Sequence, residues 1–377
     1  MNSTPFTTAS PIPAKSASTM PNNFEQSCVV NERSHSPLIK VSALAYLVVQ
    51  RPDIEKAAMF FVDYGLLVDR RENDRIYMRG KTDAHHILIL EKGSACVSRL
   101  GLVATKPELN TLAELYKLPV KSLGQPQGGY VVAIKDPNEI ELEIVSDLTP
   151  LPPIELDAQA VASNFAREKP RLNTAVRHEI QPQTVHKLGH SLWSVHNIRK
   201  TVHWYQDVLG FVVSDFQFLK GDPLPIVAFM RCDQGTTPSD HHTLGFGLAP
   251  DLGHLHSAFE MNGFEEIAIA SEWMNHKRYS HGWGIGRHIL GSQIFDYWRD
   301  DYGDMFEHYA DGDLFDASVP AGYHLFHAKA QHQWGPDMTR NFKGLNQPLK
   351  TLKSVLKRLP TDDDLNIGRL IRMVRSI

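Results

Sequence analysis

Apolar positions along the chain recur in two alternating rhythms, one of strands and one of amphipathic helices. VSALAYLVV (41–49) is a short β-rich run. Pro52 then opens DIEKAAMFFVDYG, where Ile54, Ala57, Ala58 and Phe61 fall at helical spacing and Gly65 marks a stop. Strand-like runs follow at RIYMRG (75–80) and HHILIL (85–90). A second unit begins near RLGLVA (99–104), passes through a helix at PELNTLAELYKL (107–118) and ends in GGYVVAI (128–134) and EIELEIV (139–145). Each unit reads strand, helix, strands.

The same rhythm restarts after a proline-rich stretch at 148–186. KLGHSLWSV (187–195) predicts a strand, and NIRKTVHWYQDVLG (197–210) predicts an amphipathic helix closed by Gly210. Strands are expected at FVVSDFQF, IVAFMRC and HHTLGFGL. A fourth unit starts at HLHSAFEM (254–261), with a helix over 263–276 and strands at SQIFDYW and DMFEHYA. LAYLVV…YGLLV lies over LGHSLW…LGFVV, with Gly65 on Gly210. DAHHILIL (83–90) lies over SDHHTLGF (239–246), and DPNEIELEI (136–144) over DDYGDMFEH (300–308). The order of matches is the same in both halves, which indicates a tandem duplication with two βαβββ units in each half.

Composition narrows the chemistry. A net charge of −4 over 377 residues provides no basic field, so nucleic acid is not an expected partner. No apolar run approaches the ~20 residues of a membrane span, and no membrane partner is expected. Cys28, Cys96 and Cys232 lie far apart with no CxxC pattern, which argues against a disulfide framework or a structural zinc site. Residues 1–38 are rich in Ser, Thr, Pro and Asn and read as a disordered arm. Their prolines argue against a targeting helix, so a cytoplasmic location is expected. The expected organisation is an arm over 1–38, a metal-free first domain over 39–147, a linker over 148–186, a metal-bearing second domain over 187–318 and an extension over 319–377. In that extension, LKTLKSVLKRL (349–359) and DLNIGRLIRMVRSI (364–377) read as amphipathic helices that pack on their own domain or on a neighbouring subunit.

The 19 histidines are the unusual quantity. Comparison of the halves isolates two of them: where the second half has His190 and His256, the aligned first half has Ala45 and Gly101, while Glu307 lies over Glu143. Two imidazoles and one carboxylate that leave open coordination positions form the facial triad of non-haem Fe(II) enzymes.

These segments resemble the two-domain extradiol ring-cleaving dioxygenases of the vicinal oxygen chelate (glyoxalase/bleomycin-resistance) superfamily. The resemblance runs from about Val41 to Phe315. It is carried by LGHSLWSVHNIRKTVHWYQDVLGFVVSD, HHTLGFGL, HLHSAFEM and GRHILGSQIFDYWRDDYGDMFEHYADGD. It implies an α+β fold of tandem βαβββ modules with the metal site in the C-terminal domain. It makes His190, His256 and Glu307 the ligands of Fe(II), with Mn(II) the alternative metal and O₂ the co-substrate. His242 takes the place of the family's acid/base histidine and Tyr297 that of its active-site tyrosine. A further histidine that some members carry just after the GRH turn (286–288) falls on Ser292, and DDYG (300–303) departs from the usual DPxG turn. Trp193, His288 and Phe295 are candidates to contact an aromatic substrate.

The implied activity is ring opening of a substituted, aryl or bulky catechol to a semialdehyde or keto acid, in aromatic compound catabolism, by a homo-oligomer. Neutral imidazole suits His242 for taking a catechol proton and returning it later. Two other readings fit the same superfamily: a metal-dependent glyoxalase-type isomerase, and a non-catalytic protein that sequesters an aromatic ligand.

Overall fold

The computed structural model describes residues 32–154, 163–327, 331–339, 342, 364 and 366–376. It contains two large sheets built to one plan. The first has eight strands, from edge to edge Leu67–Glu72, Arg75–Arg79, Leu88–Lys92, Ala43–Arg51, Cys96–Val103, Glu141–Ser146, Tyr130–Lys135 and Lys121–Ser122. The second repeats that order with Phe211–Phe218, Pro225–Cys232, Leu244–Leu248, Leu188–Val195, Gly253–Glu260, Met305–Ala310, Ile294–Arg299 and Ser280–His288. Two further strands, Gly322–Leu325 and His332–Trp334, extend its two edges.

In both sheets the first strand of one unit pairs antiparallel with the first strand of the next, and each of these pairs parallel with the last strand of its own unit. The helices confirm the repeat at residue level. Asp53 caps Ile54–Tyr64 by accepting from Lys56 N, and Asn197 caps Ile198–Leu209 by accepting from Lys200 N. Both helices end on a glycine in the left-handed region, Gly65 at φ 114° and Gly210 at φ 71°, where a side chain would be strained.

One apolar core runs through both halves, from Leu47, Phe61 and Leu90 to Leu188, Phe216 and Phe306. Polar contacts stitch the halves together as well. Buried Arg51 donates to Asp300 Oδ2 at 2.5 and 2.9 Å and to Asp304 Oδ2 at 2.6 Å. Asp63 accepts from Trp273 Nε1 and Tyr279 Oη, and His308 Nε2 lies 2.7 Å from the Tyr64 carbonyl.

Two readings from the sequence need revision, and a third, the docking of the last helix, takes one of its two expected forms. Residues 32–38, taken as part of a loose arm, pack on the second half: Val213 N donates to Glu32 O and Leu38 N to Asp207 O. The residues before them lie outside the described part, as does the helix expected over 349–359. GRH (286–288), read as a turn, is the end of the Ser280–His288 strand, and the reversal comes after it. The last helix, Ile367–Ser376, docks on its own chain, where buried Arg369 donates to Asp222 Oδ2 and to the carbonyls of Leu224 and Pro225.

Candidate metal centre and cavity

Strand alternation sends every second side chain of the second sheet into one cavity of about 370 Å³. His190 and Leu192 come from one strand, Val227 and Phe229 from another, Met305 and Glu307 from a third. At its floor His190, His256 and Glu307 converge. One possible ligand atom from each lies within 4.8 Å of the others. His190 Nε2 is 3.1 Å and His256 Nε2 3.2 Å from the same oxygen, Glu307 Oε2. All three are buried.

This cluster passes a physical test for a divalent cation. Glu307 Oε1 is buried without a hydrogen-bond partner among the described residues, an arrangement that is costly unless something else satisfies it. Burial alone would raise the Glu307 carboxyl, but the imidazoles of His190, His256 and His288 around it hold it well below the usual carboxylate range. Burial pushes His256 down to about 4, so at neutral pH it offers a lone pair rather than a charge. A neutral imidazole and an ionised carboxylate are the states that bind metal. Gln293 also reaches His190, with its amide 3.5 Å from Nδ1. With the amide oxygen turned to that nitrogen, it accepts Nδ1–H and leaves Nε2 bare.

His242 forms the wall beside His190, with ring centroids 4.1 Å apart, and it packs on Phe229. Burial first, then the neighbouring His190, lowers its pKa well below the ordinary histidine value. It is therefore neutral and able to accept a proton. His288 also lines the cavity, its Nε2 2.9 Å from Tyr297 Oη and 3.6 Å from Glu307 Oε1. Tyr297 stands behind His288, fully enclosed, and burial followed by the Glu307 charge raises its phenol well above the ordinary value.

The remaining sequence candidates separate cleanly. Trp193 faces away from the cavity, because it alternates with Leu192; it packs in the core and donates to Ser191 Oγ. Phe295 does not line the cavity but stacks under His288 at 4.1 Å, holding that ring in place. Ser292 donates to Asp313 Oδ2, whereas His288, the last residue of GRH, lines the cavity. Trp283 lines the wall. The roof was not visible from the strand pattern: Phe326, Gln331, Met338 and Phe342 all come from the C-terminal extension. Their apolar character was the available signal, but nothing in the sequence said where the extension crosses.

The first half shows what replaces the cluster there. Strand pairing places Tyr46 opposite Gly101 and His190 opposite Ala258, while Glu143 pairs with Gly101 and Glu307 with Ala258. The counterparts of His190, His256 and Glu307 are therefore Tyr46, Arg99 and Glu143, not Ala45 and Gly101. Tyr46 Oη donates to Glu143 Oε2 at 2.6 Å and Arg99 Nε to Glu143 Oε1 at 2.9 Å. An internal cation thus neutralises this carboxylate, and neither imidazole is present.

Two sheets of paired βαβββ units give the chain the two-domain vicinal oxygen chelate fold seen in solved 2,3-dioxygenases and in a glyoxalase. Part of its sequence is similar to a metapyrocatechase, and its fold is similar to that of homoprotocatechuate 2,3-dioxygenases. Over 170 residues it is 33% identical to metapyrocatechase 2 of Cupriavidus necator, a match that covers 44% of this chain and 50% of that protein. The chain thus matches about half the length of this curated relative. The anaerobic substrate complex of homoprotocatechuate 2,3-dioxygenase from Brevibacterium fuscum superposes with a TM-score of 0.69 at 17% identity, covering 83% of this chain and 94% of that one. The Mn(II)-bound glyoxalase from Novosphingobium aromaticivorans superposes at 0.66 with 22% identity, covering 80% and 94%. No family model matches the chain.

Proposed function

We propose that the protein is a metal-dependent extradiol dioxygenase that opens the ring of an uncharged catechol with an apolar substituent. The observation that carries this reading is the His190/His256/Glu307 cluster on the floor of a cavity with the neutral imidazole of His242 beside it. The donor set suits Fe(II), and Mn(II) is the second candidate. The bound metal would supply adjacent open positions at which a catechol and dioxygen react together. The protein's own contribution is to position the ring, exclude water and handle protons. His242 accepts the proton of a catechol hydroxyl and returns it as the ring opens. His288, backed by Phe295 and Tyr297, offers a hydrogen-bonding edge on the other side.

The lining names the substituent. Among the described residues that form the cavity, Glu307 is the only acidic residue, and no Lys or Arg is present. Leu192, Leu248, Leu255, Trp283, Phe326 and Phe342 dominate instead. Among these described residues a substrate carboxylate would find no cationic partner, and burying it unpaired costs several kcal/mol. 3-Phenylcatechol or an alkylcatechol should therefore exceed 3,4-dihydroxyphenylacetate in kcat/KM by about 100-fold or more, a gap of roughly 3 kcal/mol.

The test is oxygen uptake and yellow product formation by Fe(II)-loaded protein on a catechol panel prepared without air. Absence of uptake with every mono- and bicyclic catechol would sink the proposal. The likeness to a glyoxalase supports an isomerase as the second reading. Turnover of a thiohemiacetal without oxygen consumption would establish that reading instead.

A further inference from the structure

Behind His242 lies a line of polar groups that neither metal coordination nor the cavity wall explains. His241 is buried, and its Nδ1 is 2.9 Å from His242 Nδ1. Its Nε2 is 2.5 Å from Asp215 Oδ2. The other oxygen, Asp215 Oδ1, is 2.8 Å from Nε2 of His324, a partly exposed residue on the added edge strand Gly322–Leu325. The backbone leaves room for this pair at Gly322, where a Cβ would lie 2.0 Å from Asp215 Oδ1.

Hydrogen-bond bookkeeping assigns the protons along this line. An ionised carboxylate only accepts, so His241 must present N–H at Nε2. In its neutral form the His241 ring carries one N–H, so that Nδ1 is a bare lone pair. Two bare nitrogens 2.9 Å apart would repel, so the nitrogen facing it, His242 Nδ1, must carry the hydrogen. This leaves the second ring nitrogen of His242, Nε2, bare and basic. We propose that Asp215, acting through His241, is a positioning residue that fixes His242 in its Nδ1–H tautomer and so makes Nε2 the proton acceptor.

The inference rests on the acid/base role proposed for His242. The logic is that of a buried aspartate orienting a catalytic histidine, lengthened by one imidazole. When His242 accepts a proton at Nε2, the new charge is shared through His241 Nδ1 with Asp215. The proton balance is closed: one proton leaves a hydroxyl and one N–H forms.

The first half provides an internal control. There His85 and His86 repeat the adjacent imidazoles, with Nδ1 atoms 3.3 Å apart. The nearby acid, Asp69, lies 3.5 Å from His85 Nδ1 rather than meeting Nε2, and His86 Nε2 is taken by Gln125 at 3.0 Å. The paired histidines belong to the duplicated scaffold, whereas the carboxylate on the far nitrogen and the second histidine behind it belong to the half with the candidate metal centre.

The test uses the full chain labelled with ¹⁵N-histidine and loaded with Zn(II), which is diamagnetic. Long-range ¹H–¹⁵N spectra report which ring nitrogen carries the proton. The wild type should show Nδ1–H at His242 and Nε2–H at His241, and Asp215→Leu should show a mixture at His242 while keeping its zinc. In the Fe(II) enzyme, Asp215→Leu should lower kcat about 10- to 100-fold, a share of the 10²–10⁴ that a general base supplies, with KM changed less than about threefold. Zinc retention separates this outcome from a misfolded variant. An Nε2–H tautomer at His242 in the wild type, or an Asp215→Leu enzyme with wild-type kcat beside an inactive His242→Ala, would overturn the inference alone. Full turnover by His242→Ala would instead remove the acid/base reading, and the wild-type spectrum would then decide the tautomer without it.

Discussion

Glu307 is held between two opposing effects: burial favours its neutral form, and the imidazoles around it favour the ionised one. His256→Ala removes one ligand atom and should lower metal affinity by more than the roughly 10–100-fold that loss of an outer partner alone costs. Metal content after dialysis against a weak chelator, read by elemental analysis, checks this. A second residue gives a pH signature away from the metal. Burial, reinforced by His85, brings His86 down to about 4 despite the hydrogen bond that its Nε2 donates to Gln125 Oε1. Between an unfolded value of about 6.5 and that folded value, the unfolded chain binds the proton and the native state does not. Stability from this group is thus complete above about pH 6.5 and falls with pH by roughly 1.4 kcal/mol per unit until about pH 4. Denaturant midpoints of His86→Gln should fall less steeply over that range than those of the wild type; parallel slopes would refute the assignment.

At the scale of strands and helices, the repeat was legible because each unit combines a period-2 run with a period-3.6 run and repeats its cap residues, Asp53 with Gly65 and Asn197 with Gly210. His190, His256 and Glu307 were legible for the same reason: each sits on a strongly patterned strand. Their counterparts in the first half were misplaced by one and two residues. The helix Ile198–Leu209 is one residue longer than Ile54–Tyr64, so setting Gly65 on Gly210 shifts the preceding strand by one and puts Ala45 rather than Tyr46 over His190. The bulges do not cause the error, because both sheets carry them at equivalent places. His288 was assigned only weakly because GRH looked like a turn, and strand Ser280–His288 is defined by its neighbours rather than by its own glycine-rich sequence. The corrected pairing carries a prediction: the full chain should bind one metal per molecule, and His190→Ala with His256→Ala should bind none. A second equivalent by titration would contradict the role given to Arg99.

For the whole molecule, the shared core and the Arg51 ion pairs make the halves one folding unit. Arg51→Ala leaves Asp300 buried without its cation and should cost about 3–5 kcal/mol, because breaking one side of a buried pair strands the other charge. Unfolding in guanidinium should show one transition at a lower midpoint; an unchanged midpoint would show that solvent reaches Asp300. The extension acts at the same scale, since it crosses the sheet and roofs the cavity. Phe342→Ala should raise KM for an aryl catechol about tenfold, consistent with losing 1–3 kcal/mol of apolar contact, and the loss should be smaller for unsubstituted catechol.

The Tyr46–Arg99–Glu143 cluster has a consequence for how the two halves depend on their surroundings. A guanidinium is a counter-ion tethered to the chain; no chelator removes it, and no shortage of metal leaves its glutamate bare. On the proposed function, the second half takes its neutralising charge from solution. A chelating medium therefore acts on one half only, and hydrogen exchange should quicken around Glu307 while the strands around Glu143 stay protected. The duplicated scaffold in this way keeps one copy of its central carboxylate permanently neutralised and leaves the other open to supply from outside.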